Sequence, residues 1–167
     1  MRKTIVLIAA LLILFGVNAA IYKKEQLLTN GRAVFLELAP VDPRSLMQGD
    51  YMALRFKVAN DAFGPPLDGR KQPRDGRLVL SLNERNVAAF KRFDDGSPLS
   101  ANEVAMQYRI RSGQPKFATN AFFFQEGDAE HYAGARFGEF RVADTGECIL
   151  AGLRDKDLMQ LGPQTGH

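Results

Sequence analysis

The residues that could do chemistry in this chain are few, and most gather near one stretch, Pro40 to Val58, which reads PVDPRSLMQGDYMALRFKV. Asp50 opens an alternating run and shares the parity of Leu54 and Phe56. Its carboxylate is therefore directed to the margin of the core, where an unpaired charge is strongly unfavourable. The nearest donors in sequence are the backbone amides of the Arg44 to Gln48 turn and the Arg44 guanidinium, an arrangement that favours a structural role over catalysis. Ser45 is the one serine near that turn, and Lys91, in Phe90-Lys91-Arg92-Phe93, could act as its base if it were desolvated. Asp50, Ser45 and Lys91 are thus the residues on which an enzyme hypothesis would be tested. Metal chemistry has less to build on: His131 and His167 are the only histidines, and no pair of ligands is spaced with a third nearby. Glycine-rich phosphate loops are absent, and no cofactor is expected. Cys148, the single cysteine, lies in an apolar strand pattern and reads as a small buried hydrophobe.

Those residues have to be positioned by short β elements. Asp42 can cap a single helical turn with Pro43 in its first position, where proline needs no amide partner. From Asp50 onward Met52, Leu54, Phe56 and Val58 face one way and Tyr51, Ala53, Arg55 and Lys57 the other, which predicts a strand to Val58 with one buried face. Ala33 to Ala39 alternates in the same manner and feeds the turn. After Asn60 the prolines and glycines predict a long loop carrying Arg70, Lys71, Arg74 and Arg77, either solvated or a basic flap that meets lipid phosphates or an acidic partner.

Farther on, Arg77 to Leu82 and Val87 to Phe93 predict a hairpin, and Val104 to Ile110 alternates with period two. Ser100-Ala101-Asn102-Glu103 matches a helix capping box, but the period after it is that of a strand, so no helix is expected. Phe122, Phe123 and Phe124 in succession fit a strand buried on both faces better than one face of a partner site. Asp128 to Phe137 predicts a short helix, followed by paired strands over Phe137 to Val142 and Glu147 to Leu153. The fold class is mainly β, a small barrel or sandwich of about seven or eight short strands with one or two short helices.

The N-terminus sets the compartment. Met1-Arg2-Lys3 precedes an almost unbroken apolar run, Thr4 to Ile21, which ends at Tyr22-Lys23-Lys24. Val17-Asn18-Ala19 would suit cleavage of a signal peptide, but the run continuing to Ile21 and the interfacial Tyr22 favour an uncleaved transmembrane anchor. Lys23 and Lys24 weaken the charge asymmetry, so the orientation rests on Arg2, Lys3 and the amino terminus staying inside. The organisation expected is an anchor over 1–22, a spacer over 23–31 that ends at Gly31 as a left-handed cap, an extracytoplasmic β domain over 32–156 and a tail over 157–167. A net charge of +3 without a basic block excludes a nucleic-acid site as the leading reading.

Gly49-Asp50-Tyr51-Met52-Ala53-Leu54-Arg55-Phe56 resembles the signature of the GDYXXLXY family, with Phe56 where the family name has tyrosine. The similarity extends upstream through Glu37 and the Asp42-Pro43-Arg44 turn to Leu46, and downstream over Arg136 to Leu153. It implies a bacterial inner-membrane protein of uncharacterised function, in a family often found beside multipass membrane proteins, and it brings no catalytic residues. The membrane segment, β domain and Gly-Asp turn are also loosely similar to signal peptidases. Ser45, however, lies immediately before Gly49-Asp50, without the intervening stretch those enzymes use. The favoured expectation is a non-enzymatic binding module acting with a multipass or envelope partner through Tyr51, Arg55, Arg70, Lys71 and Arg74. The alternative is a signal-peptidase-like serine and lysine peptidase or a degenerate relative.

Overall fold

The computed structural model describes residues 2–39, 47–48, 51–64 and 75–162. The chain begins with one long helix, α1 (Arg2–Asn30), of which Lys3–Asn30 is long and apolar enough to cross a membrane, with a mean hydropathy of 2.6 over its most apolar 18 residues. The spacer expected after the apolar run is the last turns of this same helix. Gly31 ends it by donating its N–H to the Leu27 carbonyl at 2.9 Å. The left-handed cap expected there does not form, since Gly31 is not among the positive-φ glycines. The position needs glycine for space instead: a Cβ would collide with the Leu27 carbonyl oxygen and sit 3.0 Å from the Arg141 Cβ.

The rest is mainly β. β1 (Arg32–Glu37) is the edge of a sheet with β9 (Phe137–Val142) in the middle and β10 (Cys148–Arg154) beyond it, all antiparallel. β4 (Asp75–Leu82), β5 (Ala88–Phe93), β6 (Glu103–Arg111) and β7 (Gln114–Lys116) form a second sheet in the order β5-β4-β6-β7. The third sheet is small, with β3 (Tyr51–Ala53) between β2 (Met47–Gln48) and β8 (Ala121–Phe123). Phe35 bridges to Val87 on one side, and the Gln107 N–H donates to the Gly146 carbonyl at 2.8 Å on the other. The two larger sheets therefore meet along both margins and curl into a partly closed barrel, the economical way to cover strand edges.

The expected strand to Val58 is shorter than its alternation suggested. Met52, Leu54, Phe56 and Val58 are all buried, but after the Phe56 bridge to Leu38 the chain turns into a helix, α2 (Lys57–Phe63). Val58, Ala59, Ala62 and Phe63 explain this: they recur at helical spacing and all pack on the core, so one helical face replaces the strand face. Gly64, at φ 65°, closes α2 by donating its N–H to the Asn60 carbonyl at 2.7 Å.

The predicted β4 and β5 hairpin, the β6 strand and the closing β9 and β10 pair are present. Ser112 and Gly113, at φ 52° and 74°, join β6 to β7 in the two-residue geometry suited to hairpins. No helix follows Ser100, although Glu103 still accepts the Ser100 N–H at 3.1 Å, as a capping-box glutamate would. The helix expected over Asp128 to Phe137 is a single turn, α3 (Ala129–Tyr132), pinned by the buried Tyr132. Nor is the segment after Lys156 idle: Leu161 donates its N–H to the Leu153 carbonyl at 3.0 Å and rests against the core.

Phe56 sits at the centre. Its ring meets Phe117 and Phe140 edge-on, with centroids 6.1 Å and 5.3 Å away, so it ties β9 to the segments that follow β3 and β7. Gly138 is glycine because a Cβ there would lie 2.9 Å from the Phe56 Cε1. Phe63 on α2 makes a second aromatic cluster with Phe93 and Tyr108, at 5.6 Å and 4.9 Å. Phe56→Ala is expected to lower stability by about 3–5 kcal/mol in urea unfolding of the full chain in detergent. A loss below about 1 kcal/mol would contradict this central position.

Candidate functional site

Of the residues singled out in the sequence, Asp42, Pro43, Arg44, Ser45, Gly49, Asp50, Arg70, Lys71 and Arg74 lie outside the described residues. The signature strand β3 is placed. It pairs with β2 through Met47↔Met52 and Gln48↔Tyr51, and with β8 through Tyr51↔Phe123 and Met52↔Phe122. Leu54 and Phe56 point into the core, while Arg55 is exposed and its carbonyl accepts the Ala39 N–H at 2.8 Å. Tyr51 is half-buried, its ring 5.7 Å from that of Phe123.

Phe123 departs from the expectation that the Phe122 to Phe124 run is core. Phe122 and Phe124 pack against Tyr132, at 5.0 Å and 5.4 Å, but Phe123 is 73% exposed. Strand alternation forces this: once two rings of three successive residues turn inward, the middle one must face out. An aromatic strip of Tyr51 and Phe123 is the result. It belongs to the end of the domain remote from α1, because β3 runs on to meet Leu38 and Ala39, past the far end of β1.

At the near end, α1 is clasped to the tip of the β9 and β10 hairpin. Lys23 and Lys24 both pair with Glu147, at 2.9 Å and 2.6 Å. These two ammonium groups hold the Glu147 carboxyl well below its usual range, at about 2, with Lys24 the larger cause. Beside the clasp opens a cleft of about 680 Å³, lined by the polar residues Lys24, Arg109, Arg111, Lys116, Thr119 and Glu147 and by the apolar Ile149 and Leu150. Its floor includes Cys148, whose thiol burial pushes up to about 12, so it is a poor nucleophile as well as a buried one. Its rim includes a tight turn at Ala118, φ 56°, where the Thr119 N–H donates to the Phe117 carbonyl at 2.6 Å.

The GDYXXLXY protein family matches residues 13–153, most of the chain, from within α1 to the end of the β9 and β10 hairpin. The chain belongs to the GDYXXLXY family. No curated protein and no solved structure matches it. Within the GDYXXLXY signature, the tyrosine that the family name places last is Phe56 here, and its ring is 1% exposed among other aromatic rings. A residue so placed serves packing rather than a phenol's chemistry.

Lys91 lies on β5 with its ammonium half-exposed and paired with the buried Glu103 carboxylate. Lys91, with the Ser100 N–H, holds the Glu103 carboxyl below the usual range. A solvated, ion-paired lysine is the opposite of the desolvated base that a serine and lysine dyad requires. His131 is exposed, with Nδ1 3.4 Å from the Asp128 Oδ1. Among the described residues, no three His, Cys, Asp or Glu side chains gather to hold a metal ion. The site residues that sequence reasoning missed are Phe123 and the cleft cations Arg109, Arg111 and Lys116. Arg109 and Arg111 could have been found as the polar face of β6, but Lys116 joins them only through the β6 and β7 register.

Because the Glu147 carboxyl is depressed from an ordinary 4.5, the clasp contributes fully above that pH and is lost as the pH falls through about 2. Carboxyl-carbon NMR titration should place the Glu147 midpoint near 2 and move it towards 4.5 in Lys24→Gln. A midpoint already at the ordinary value in the unaltered chain would contradict the clasp.

Proposed function

We propose that this GDYXXLXY protein is a single-pass, membrane-anchored binding module whose β domain lies outside the bacterial cytoplasm and docks a multipass membrane or envelope protein. The observation that carries the reading is the exposed Phe123 ring beside the signature Tyr51. At 73% exposure Phe123 is the most exposed phenylalanine of the β domain, well beyond Phe93 at 39%, and aromatic rings left in water in this way anchor protein interfaces. Exposed Arg55 follows Tyr51 by four residues and adds a cation of the sort enriched at such surfaces. The strip's place at the end remote from α1 suits a protein partner rather than lipid.

The anchor reading is supported by the length and apolarity of α1 and by its unburied surface. Arg2 and Lys3 favour retention of the amino terminus in the cytoplasm. The competing lysines beyond the span share Glu147, which offsets part of the charge that would argue for the opposite orientation.

The test is co-purification of the full chain from its own membranes with mild detergent, compared with Phe123→Ser. A specific membrane protein should be recovered with the unaltered chain, and recovery should fall roughly thirtyfold in the variant, the effect of losing one central aromatic anchor. A chain that recovers only itself, or a partner retained equally by Phe123→Ser, would contradict the proposal.

A further inference from the structure

We infer that the basic cleft between the end of α1 and the strands β6, β7 and β10 is a binding site for the phosphate headgroup of an anionic phospholipid. The first ground is an electrostatic imbalance built into the sheet. Arg109 on β6 stands directly opposite Lys116 on β7. Like charges in directly opposed positions destabilise a strand pair, so the arrangement calls for an anion between or above them. Asp75 stands opposite Arg109 on the other side, on β4, but its carboxylate pairs with Arg111, so among the described residues neither Arg109 nor Lys116 has a carboxylate within ion-pair distance. The acids nearby are engaged elsewhere, Asp75 with Arg111 at 3.0 Å and Glu147 with Lys23 and Lys24.

The second ground is shape. A cleft of about 680 Å³ is of the size that holds a small ligand, and its lining combines the cations with apolar groups of Ile149 and Leu150. A phosphodiester with the first methylenes of its glycerol fits that mixture, which offers both charge-assisted hydrogen bonds and apolar contact.

Depth is the third ground, and it selects lipid over a soluble anion. The apolar run of α1 ends at Ile21, and Lys24, three residues later, lines the cleft. At the rise of an α-helix Lys24 lies roughly 4.5 Å beyond Ile21. The headgroup layer is roughly 5–8 Å thick on each side of the hydrocarbon. The cleft mouth thus opens at the level where lipid phosphates lie, an inference that rests on α1 spanning the bilayer.

Native mass spectrometry of the detergent-solubilised full chain, titrated with phosphatidylglycerol or phosphatidylcholine, tests this. Phosphatidylglycerol should bind in preference, and R109Q/K116Q should bind it roughly thirtyfold more weakly, the effect of two basic groups near an anionic surface. R85Q/K156Q removes the same charge from exposed positions outside the cleft and should stay within about threefold of the unaltered chain. Equal binding of the two lipids, or equal weakening by both double variants, would overturn the assignment. So would displacement of phosphatidylglycerol by equimolar inorganic phosphate, which would make the ligand a soluble anion. If R109Q/K116Q loses its thermal transition, R109K/K116R decides instead: it must retain binding, and its failure to do so would overturn the site. Flotation of the full chain with phosphatidylcholine vesicles separates the two readings. A chain that floats but shows no lipid preference loses the site and keeps the anchor, whereas one that does not float loses both.

Discussion

The arrangement of this molecule depends on how a membrane-length helix is joined to a β domain. There is no linker at the joint. Gly31 ends α1 against the Leu27 carbonyl, Leu27 is buried, and Arg32 already pairs with Val142 as the first residue of β1. Two turns back along α1, Lys23 and Lys24 grip Glu147 at the tip of the β9 and β10 hairpin. Contacts at both ends of this segment resist rotation of the helix against the sheet. The hairpin tip is therefore held at the level of the first lysines beyond the apolar run, and the opposite end of β1, with Leu38, Ala39 and the signature strand, is carried away from it.

Two different surfaces follow from one joint. Near the helix, β6 and β7 present Arg109 and Lys116 as directly opposed cations, with Arg111 beside them held by Asp75. Far from it, β3 and β8 present Tyr51 and Phe123. The interior that separates them is aromatic, centred on Phe56, whose ring touches Phe117 on the segment leading into β8 and Phe140 on β9. That packing makes the signature a structural device first. Leu54 and Phe56 lock β3 into the core, and this lock leaves Tyr51 at the surface beside Phe123.

The inward parity of Met52, Leu54, Phe56 and Val58 was legible from alternation alone, and so were the β4 and β5 hairpin and the closing strand pair, because each has period-two patterning between turn residues. Alternation could not reveal that the backbone becomes helical at Lys57, since Val58 is buried under either geometry. The deciding signal was Ala59, Ala62 and Phe63 at helical spacing, masked by the prolines and glycines that follow. The exposure of Phe123 was hidden for a related reason: three successive phenylalanines carry no alternation to read. The basic cleft was illegible because Arg109, Lys116 and Lys24 are brought together by strand register and by the joint with α1, both long-range features. Lys91 illustrates the reverse case, a residue whose type suggested chemistry and whose partner, Glu103, gives it a structural one.

The fixed placement of the two surfaces relative to the bilayer is the central claim, and site-directed spin labelling in lipid nanodiscs measures it most directly. Cys148 is buried with its thiol pushed up to about 12, so a cysteine introduced at Gln107 in the cleft or at Phe123 in the strip can be labelled selectively. A nickel-chelating lipid in the headgroup layer should quicken relaxation strongly at position 107 and weakly at position 123. Equal effects at the two positions, or the reverse order, would contradict a domain held by its joint with the cleft against the membrane and the aromatic strip away from it.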